Sequence, residues 1–225
     1  MEAFSAAASA MAADHNVVDI TASLLWDCTR ILPAASAAIM VRQGDGELVL
    51  LHSSSHRAAE IEMLQIQSER GPCVEAIADQ QLVTETGAPA LVDRWGDVGR
   101  GIIRAGYAHV SAFPMRWHDR VLGGFNVFRT EAQPMSSSDS AVAQGFANLA
   151  TLALVQPSDI PLERLTARIA EAVQARSVIE QAKGVLAHIH GVDLGAAYDL
   201  LLDQVGQDGR SMTATAESII RAQSS

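Results

Sequence analysis

Gln156-Pro157-Ser158-Asp159-Ile160-Pro161 is the stretch that divides this chain. Proline lacks an amide donor and clashes with the preceding turn, so Pro157 and Pro161 end one helix before another begins. Upstream, strand-like and helical patterns alternate; downstream, every pattern is helical. The expected organisation is a first domain over 1–156, a linker at 157–161 and a helical domain over 162–225.

In the first domain, residues 16–32 carry Val17, Ile20, Leu24, Cys28 and Ile31 at steps of three and four, a helical face that Pro33 ends. Residues 36–42 and 47–52 read as strands joined through Gly44-Asp45-Gly46, a hairpin signal. A helix is expected at 57–68, and Pro72 opens another over 74–78. A strand follows at 82–86, and 94–106 reads as loop-rich and partly helical. Two further strands, 109–115 and 121–129, flank Trp117-His118-Asp119-Arg120; Pro114 makes the first an edge strand or a bulged one. Val142, Phe146, Leu149 and Ala153 mark a closing helix. The fold class is α+β, a largely antiparallel sheet flanked by helices.

Beyond Pro161, Leu165, Ile169, Ala172, Ala175, Ile179, Ala182, Leu186 and Ile189 form one stripe on a long helix. Gly191 reads as its C-cap, Asp193 as the N-cap of a second helix, Gly206 to Gly209 as a break, and Thr213 as the cap of a third. Three helices in so short a segment bury little core. The arm therefore needs dimerisation or docking on the first domain.

The chain has 225 residues, 48% apolar and 19% charged, which excludes a disordered protein. No apolar run is long enough for a membrane span. Met1-Glu2-Ala3-Phe4-Ser5 has no basic n-region, so no signal peptide is expected. The net charge of −10 divides into −8 over 1–160 and −2 over 161–225, the reverse of a generic nucleic-acid binder with a basic face. Cys28 and Cys73 make neither a disulfide framework nor a zinc site, so a reducing, cytoplasmic setting is expected. His188 and His190 point to different sides of a helix, and His52 and His56 have no partner carboxylate at ligand spacing, so no metal is expected. Phosphate-loop, nucleophile-elbow and zinc-protease motifs are missing. No catalytic residue, cofactor or enzymatic activity is assigned. Trp26, Trp95 and Trp117 read as core or rim packing.

Ala175-Arg176-Ser177-Val178-Ile179-Glu180-Gln181-Ala182-Lys183-Gly184-Val185-Leu186, followed by Gly191, Ala197-Tyr198, Leu201 and Ala216, resembles the ANTAR family over about 170–221. Gln65 with Gly71-Pro72-Cys73, Phe113-Pro114 and Leu122-Gly123-Gly124 is similar to the GAF sensory domains of the actinobacterial kind that precede ANTAR modules. The resemblance implies a signal-responsive transcription antiterminator: a three-helix ANTAR arm that dimerises and holds paired RNA stem-loops with hexanucleotide loops, keeping a terminator from forming. It also implies a homodimer, and a GAF domain that either takes a small-molecule ligand or serves only to dimerise. No membrane partner is implied.

Lys183, the only lysine, and Arg176 lie two helical turns apart and share a face. That face is either a phosphate track for RNA or a solvated surface paired through Glu180 or Asp199. Gln181 is a candidate for a base edge. Tyr198 is either an exposed stacking platform, worth about 1–3 kcal/mol per base, or a core cap with its hydroxyl outward. Gly184 permits close approach of a helix or RNA. Arg210 and Thr213 precede a helix N-terminus that suits a phosphate, Thr213 also serving as a cap. Ala187, Ile189 and Leu202 depart from the family pattern, the last two standing where arginine is usual, which weakens the electrostatic attraction to RNA. Cys73, at a helix start, is a candidate sensor thiol; the other reading is a small core residue. A redox enzyme built on Cys73 lacks a resolving cysteine. The competing function is a ligand-sensing GAF protein whose arm binds a protein partner.

Overall fold

The computed structural model describes residues 17–44, 46–155 and 162–223. The expected linker at 157–161, Asp45 of the hairpin and the side chains of Leu165, Ala172 and Ala175 lie outside what is described. In chain order the elements are α1 (Val17–Ile31), β1 (Ser36–Arg42), β2 (Leu48–Ser53), α2 (His56–Ser68), α3 (Pro72–Asp79), β3 (Val83–Thr86), α4 (Ala88–Trp95), α5 (Asp97–Arg104), β4 (His109–Trp117), β5 (Arg120–Arg129), α6 (Ser137–Val155), α7 (Leu162–His190), α8 (Leu194–Asp208) and α9 (Met212–Gln223).

The five strands form one antiparallel sheet in the order β2-β1-β5-β4-β3. Side chains alternate between its faces, and both faces are covered. Ile39, Val41, Phe113, Phe125 and Val127 meet α1 and α6 on one side. Ala38, Val110, Ala112 and Phe128 meet the α2–α5 layer on the other. Alanines 143, 147, 150 and 153 are buried in α6 and let its backbone lie close to the sheet, with Phe146 stacked on Phe125 at 6.5 Å.

Of the two alternatives for Pro114 the bulge is met, since β4 lies between β5 and β3 and is not an edge strand. β3 pairs with β4 only as far as Ala112, so Pro114 has no strand beside it on that side, and a register shift follows at Met115/Arg116. The hairpin between β4 and β5 is tighter than expected. Trp117 pairs with Arg120, leaving His118 and Asp119 as the turn, with His118 at φ 55°. Residues 94–106 are more helical than expected: α4 and α5 meet at Gly96, whose φ of 57° makes the corner. Arg94 pairs with Glu75 and with Glu85, and Trp95 Nε1 donates to Glu75 at 2.8 Å, binding α3, α4 and β3 together.

Among the C-terminal helices, Gly191 at φ 63° ends α7, and the Asp193 carboxylate accepts from the Ala196 amide at 2.8 Å to cap α8. Gly206 does not break the chain: α8 runs through it to Gly209 at φ 62°. The cap of α9 is Ser211, whose hydroxyl accepts from the Ala214 amide at 3.2 Å. Thr213 instead donates its amide and hydroxyl to Asp19 of α1, at 3.3 and 3.2 Å. The arm docks on the first domain. Ile179, Ala182, Leu186, Leu201 and Met212 join the same apolar cluster as α1, α6 and the sheet. Among the described residues, no single helix is long and apolar enough to cross a membrane.

Candidate functional site

β2 is an edge strand, paired only with β1, and its outer carbonyls require donors from elsewhere. The arm supplies them. Arg176 Nη1 of α7 donates to the Leu50 carbonyl at 3.1 Å, and the Tyr198 hydroxyl of α8 donates to the Ser53 carbonyl at 2.6 Å. Glu180, one turn from each cation, accepts from Lys183 Nζ at 2.9 Å and lies 3.6 Å from Arg176 Nη2. Lys183 Nζ also sits 5.3 Å from the centre of the Tyr198 ring. Lys183 and Tyr198 are 3% and 4% exposed. Burial lowers the Arg176 pKa and raises that of Tyr198.

Arg176, Lys183 and Tyr198 thus come together as one cationic and aromatic surface, seated on protein. Of the two readings of Tyr198, the exposed stacking ring is absent from this arrangement, because its hydroxyl is drawn onto β2. Gln181 and Gly184 lie on the solvent side of α7, and a Cβ on Gly184 would meet nothing within 4 Å. Arg210 is exposed at the α8–α9 corner, and Thr213 is half-buried against α1. These four do not join the cluster.

Sequence reasoning missed several buried ionisable groups, His52, Glu62 and His109 among them. His52 of β2 stands beside the arm; burial, with the charges of Arg176 and Lys183, lowers its pKa to about 4, against an opposing pull from Glu180. Glu62 of α2 lies under the opposite face of the sheet. Its carboxylate accepts from Gln65 Nε2 at 2.9 Å and from Asn126 Nδ2 at 2.6 Å, and burial pushes its pKa up to about 8. The spacing Ala58, Ile61, Glu62, Gln65 already puts Glu62 on the inner face of α2, a signal available in the sequence.

Cys73 belongs to this buried layer. Its thiol pKa is raised well above the ordinary value, by burial and by the nearby Glu62, opposite to the lowering that the sensor reading requires. The physical reason is local. The Cys73 amide, which would otherwise face an anion, donates to Gln65 Oε1 at 2.9 Å, and the sulfur packs over Gly124. A Cβ on Gly124 would collide with that sulfur.

Comparison with known proteins gives two family matches, a GAF domain over residues 14–155 and an ANTAR domain over 167–220. The first spans more than half of the chain. No curated protein matches it. Among solved structures, the phycocyanobilin-bound GAF domain of a cyanobacterial phytochrome is similar with a TM-score of 0.52 at 11% identity, over 69% of this chain and 93% of that one. The GAF domain of an Acinetobacter phosphoenolpyruvate-protein phosphotransferase is similar with a TM-score of 0.50 at 11% identity, over 76% and 92%. Likeness at such identity is one of fold. The antiparallel sheet with helices on both faces is thus a GAF fold, the three helices after it correspond to the second match, and the chain belongs to the GAF family as a GAF–ANTAR protein.

Proposed function

We propose that this protein is a signal-responsive regulator of transcription antitermination that acts as a cytoplasmic homodimer, its ANTAR arms holding paired RNA hairpins. The observation that carries this reading is the convergence of Arg176, Lys183 and Tyr198 on one surface of α7 and α8. Two cations suit phosphates and a tyrosine ring suits an unpaired base. Gln181, Gly184, Arg210 and Thr213, which lie outside that cluster, are the remaining proposed RNA contacts. The domain division remains 1–156, 157–161 and 162–225, with a small-molecule signal received by the GAF domain. No catalytic step is assigned.

In this reading the docked arm is the resting form, because the RNA surface faces β2. Freeing it breaks the Arg176 and Tyr198 hydrogen bonds to β2, about 2–4 kcal/mol by themselves, together with the two Thr213 bonds to Asp19 and the shared apolar contacts. An equilibrium so biased weakens RNA binding by at least about 30-fold until a signal lifts the arm.

A second reading is supported by a specific observation: the same surface already binds protein, and residues 161–225 carry a net charge of −2. In that case the arm would recruit a protein partner. Electrophoretic shift with tandem hexaloop hairpins and with scrambled loops, at low salt, separates the two. Loop-dependent binding that is lost in Lys183→Ala supports antitermination. Equal binding to both RNAs, or none by the purified dimer, rejects it.

A further inference from the structure

We infer that the seam between the GAF domain and the arm is a binding site for a small organic cation with an apolar body, and that its occupant holds the arm docked. A cleft of about 420 Å³ lies there, bounded by one face of α1 and by α8–α9. That volume suits a metabolite-sized molecule. Leu202, Val205 and Met212 form its apolar wall opposite α1.

Three features point to a ligand. Trp26 turns an indole that is 50% exposed into the cleft, although the neighbouring Leu24 and Leu25 are fully buried. His52 also lines the cleft, is only 5% exposed, and its imidazole makes no hydrogen bond with any described residue. Its ring nitrogens are thus left to a partner from the cleft. Lastly, the lining has two carboxylates, Asp19 and Asp27, against the single cation Arg210. Thr213 engages only Oδ1 of Asp19, and the ion pair of Asp27 with Arg30 is long, at 3.9 Å. A protonated amine between these carboxylates and the face of Trp26 gains both charge pairing and a cation–π contact. A second polar atom on the same molecule reaches His52.

Both protein segments build the cleft, so lifting the arm dismantles it. A ligand that binds only the docked form must favour that form. Its effect on RNA affinity rests on the antitermination reading; the site itself does not.

The test uses the full chain and phenethylamine as probe, with phenylacetate as its counterpart of opposite charge. The three tryptophan indole N–H signals are followed by NMR, Trp26 being assigned with Trp26→Phe. We expect phenethylamine to shift the Trp26 signal saturably with a dissociation constant of about 1 mM or below, leaving Trp95 and Trp117 in place. Phenylacetate should leave all three unmoved. Asp27→Asn should weaken binding about tenfold, and Ser23→Phe, which fills the cleft, should abolish it. No saturable shift, an equal response to phenylacetate, or an unchanged Asp27→Asn variant overturns the site. Slower amide exchange over residues 194–223 with the probe bound supports the coupling, and unchanged exchange overturns it. If no RNA binds at all, the antitermination reading fails while the NMR titration still decides the site.

Discussion

Acidification is a direct probe of how the arm is seated. His52 has a pKa of about 4 in the folded chain against an ordinary 6.5. Below pH 6.5 the unfolded chain takes up a proton that the folded chain refuses until about pH 4, so stability is lost as pH falls through that window. The gap amounts to about 3 kcal/mol in all, of which about 2 kcal/mol is gone by pH 5. His109 follows the same sign, its pKa also lowered to about 4 by burial and Arg129, so the wild-type curve alone does not isolate His52. His52→Gln removes one titration and leaves the other. Urea denaturation of wild type and variant at pH 7.5 and 5 is the assay. The wild type should lose about 2 kcal/mol more than the variant. Equal losses would refute the argument that α7 and β2 together exclude a charge at His52.

Glu62 gives the opposite slope. Its folded pKa of about 8 lies above the ordinary 4.5, so its stabilising contribution is complete below pH 4.5 and is lost as pH rises through 8, by about 5 kcal/mol. Glu62→Gln should flatten that decline between pH 6 and 9, and parallel curves would sink the reasoning. Cys73 should resist iodoacetamide in the native protein and react in denaturant, as read by mass spectrometry; equal rates in both would contradict its burial. Asp193→Ala should cost about 1 kcal/mol in thermal unfolding through loss of the α8 cap, and an unchanged midpoint would show that the cap carries no stability. Tyr198→Phe keeps the ring and removes the donor to Ser53, so under the antitermination reading RNA binding should tighten by up to about tenfold. Weaker binding in that variant would mean that the hydroxyl serves RNA rather than the docked form.

What the sequence made legible was whatever local spacing determines. Val17, Ile20, Leu24 and Cys28 repeat at helical steps, and they are the residues α1 buries. Pro72 and Asp193 mark helix starts that require no knowledge of the rest of the chain. The errors arise where a distant segment decides. Thr213 and Ser211 are both hydroxyl residues at the start of α9, and only the carboxylate of Asp19 explains why Thr213 is drawn away and Ser211 caps. The shared face of Arg176 and Lys183 follows from helical geometry. What that face meets does not, since the Leu50 carbonyl is 126 positions away. Cys73 kept two readings open for a related reason: the helix start was readable, but not the Gln65 side chain that occupies its amide.

The departures of the arm from its family's pattern make sense once the seat on β2 is included. Leu202 stands where the resemblance expects arginine, yet here it packs against the cluster shared by the arm and the GAF domain and forms a wall of the seam cleft. A guanidinium at that position would project into the cleft toward Asp19 and Asp27 and take up the space between its walls. Ile189 is different: it is exposed, and nothing in the docked arrangement explains the loss of arginine there. Carbonyl oxygens along an unpaired strand edge and phosphate oxygens along RNA both ask for the same donors, an arginine fork and a hydroxyl or ammonium. Under the proposed function, β2 and RNA therefore compete for Arg176 and Tyr198, and docking buries Lys183 beside them. Each lowers the other's occupancy by the same factor. The acidic balance of the chain then has a role as well: with little long-range attraction to RNA, the outcome of that competition is set at the seam, where a few hydrogen bonds decide it.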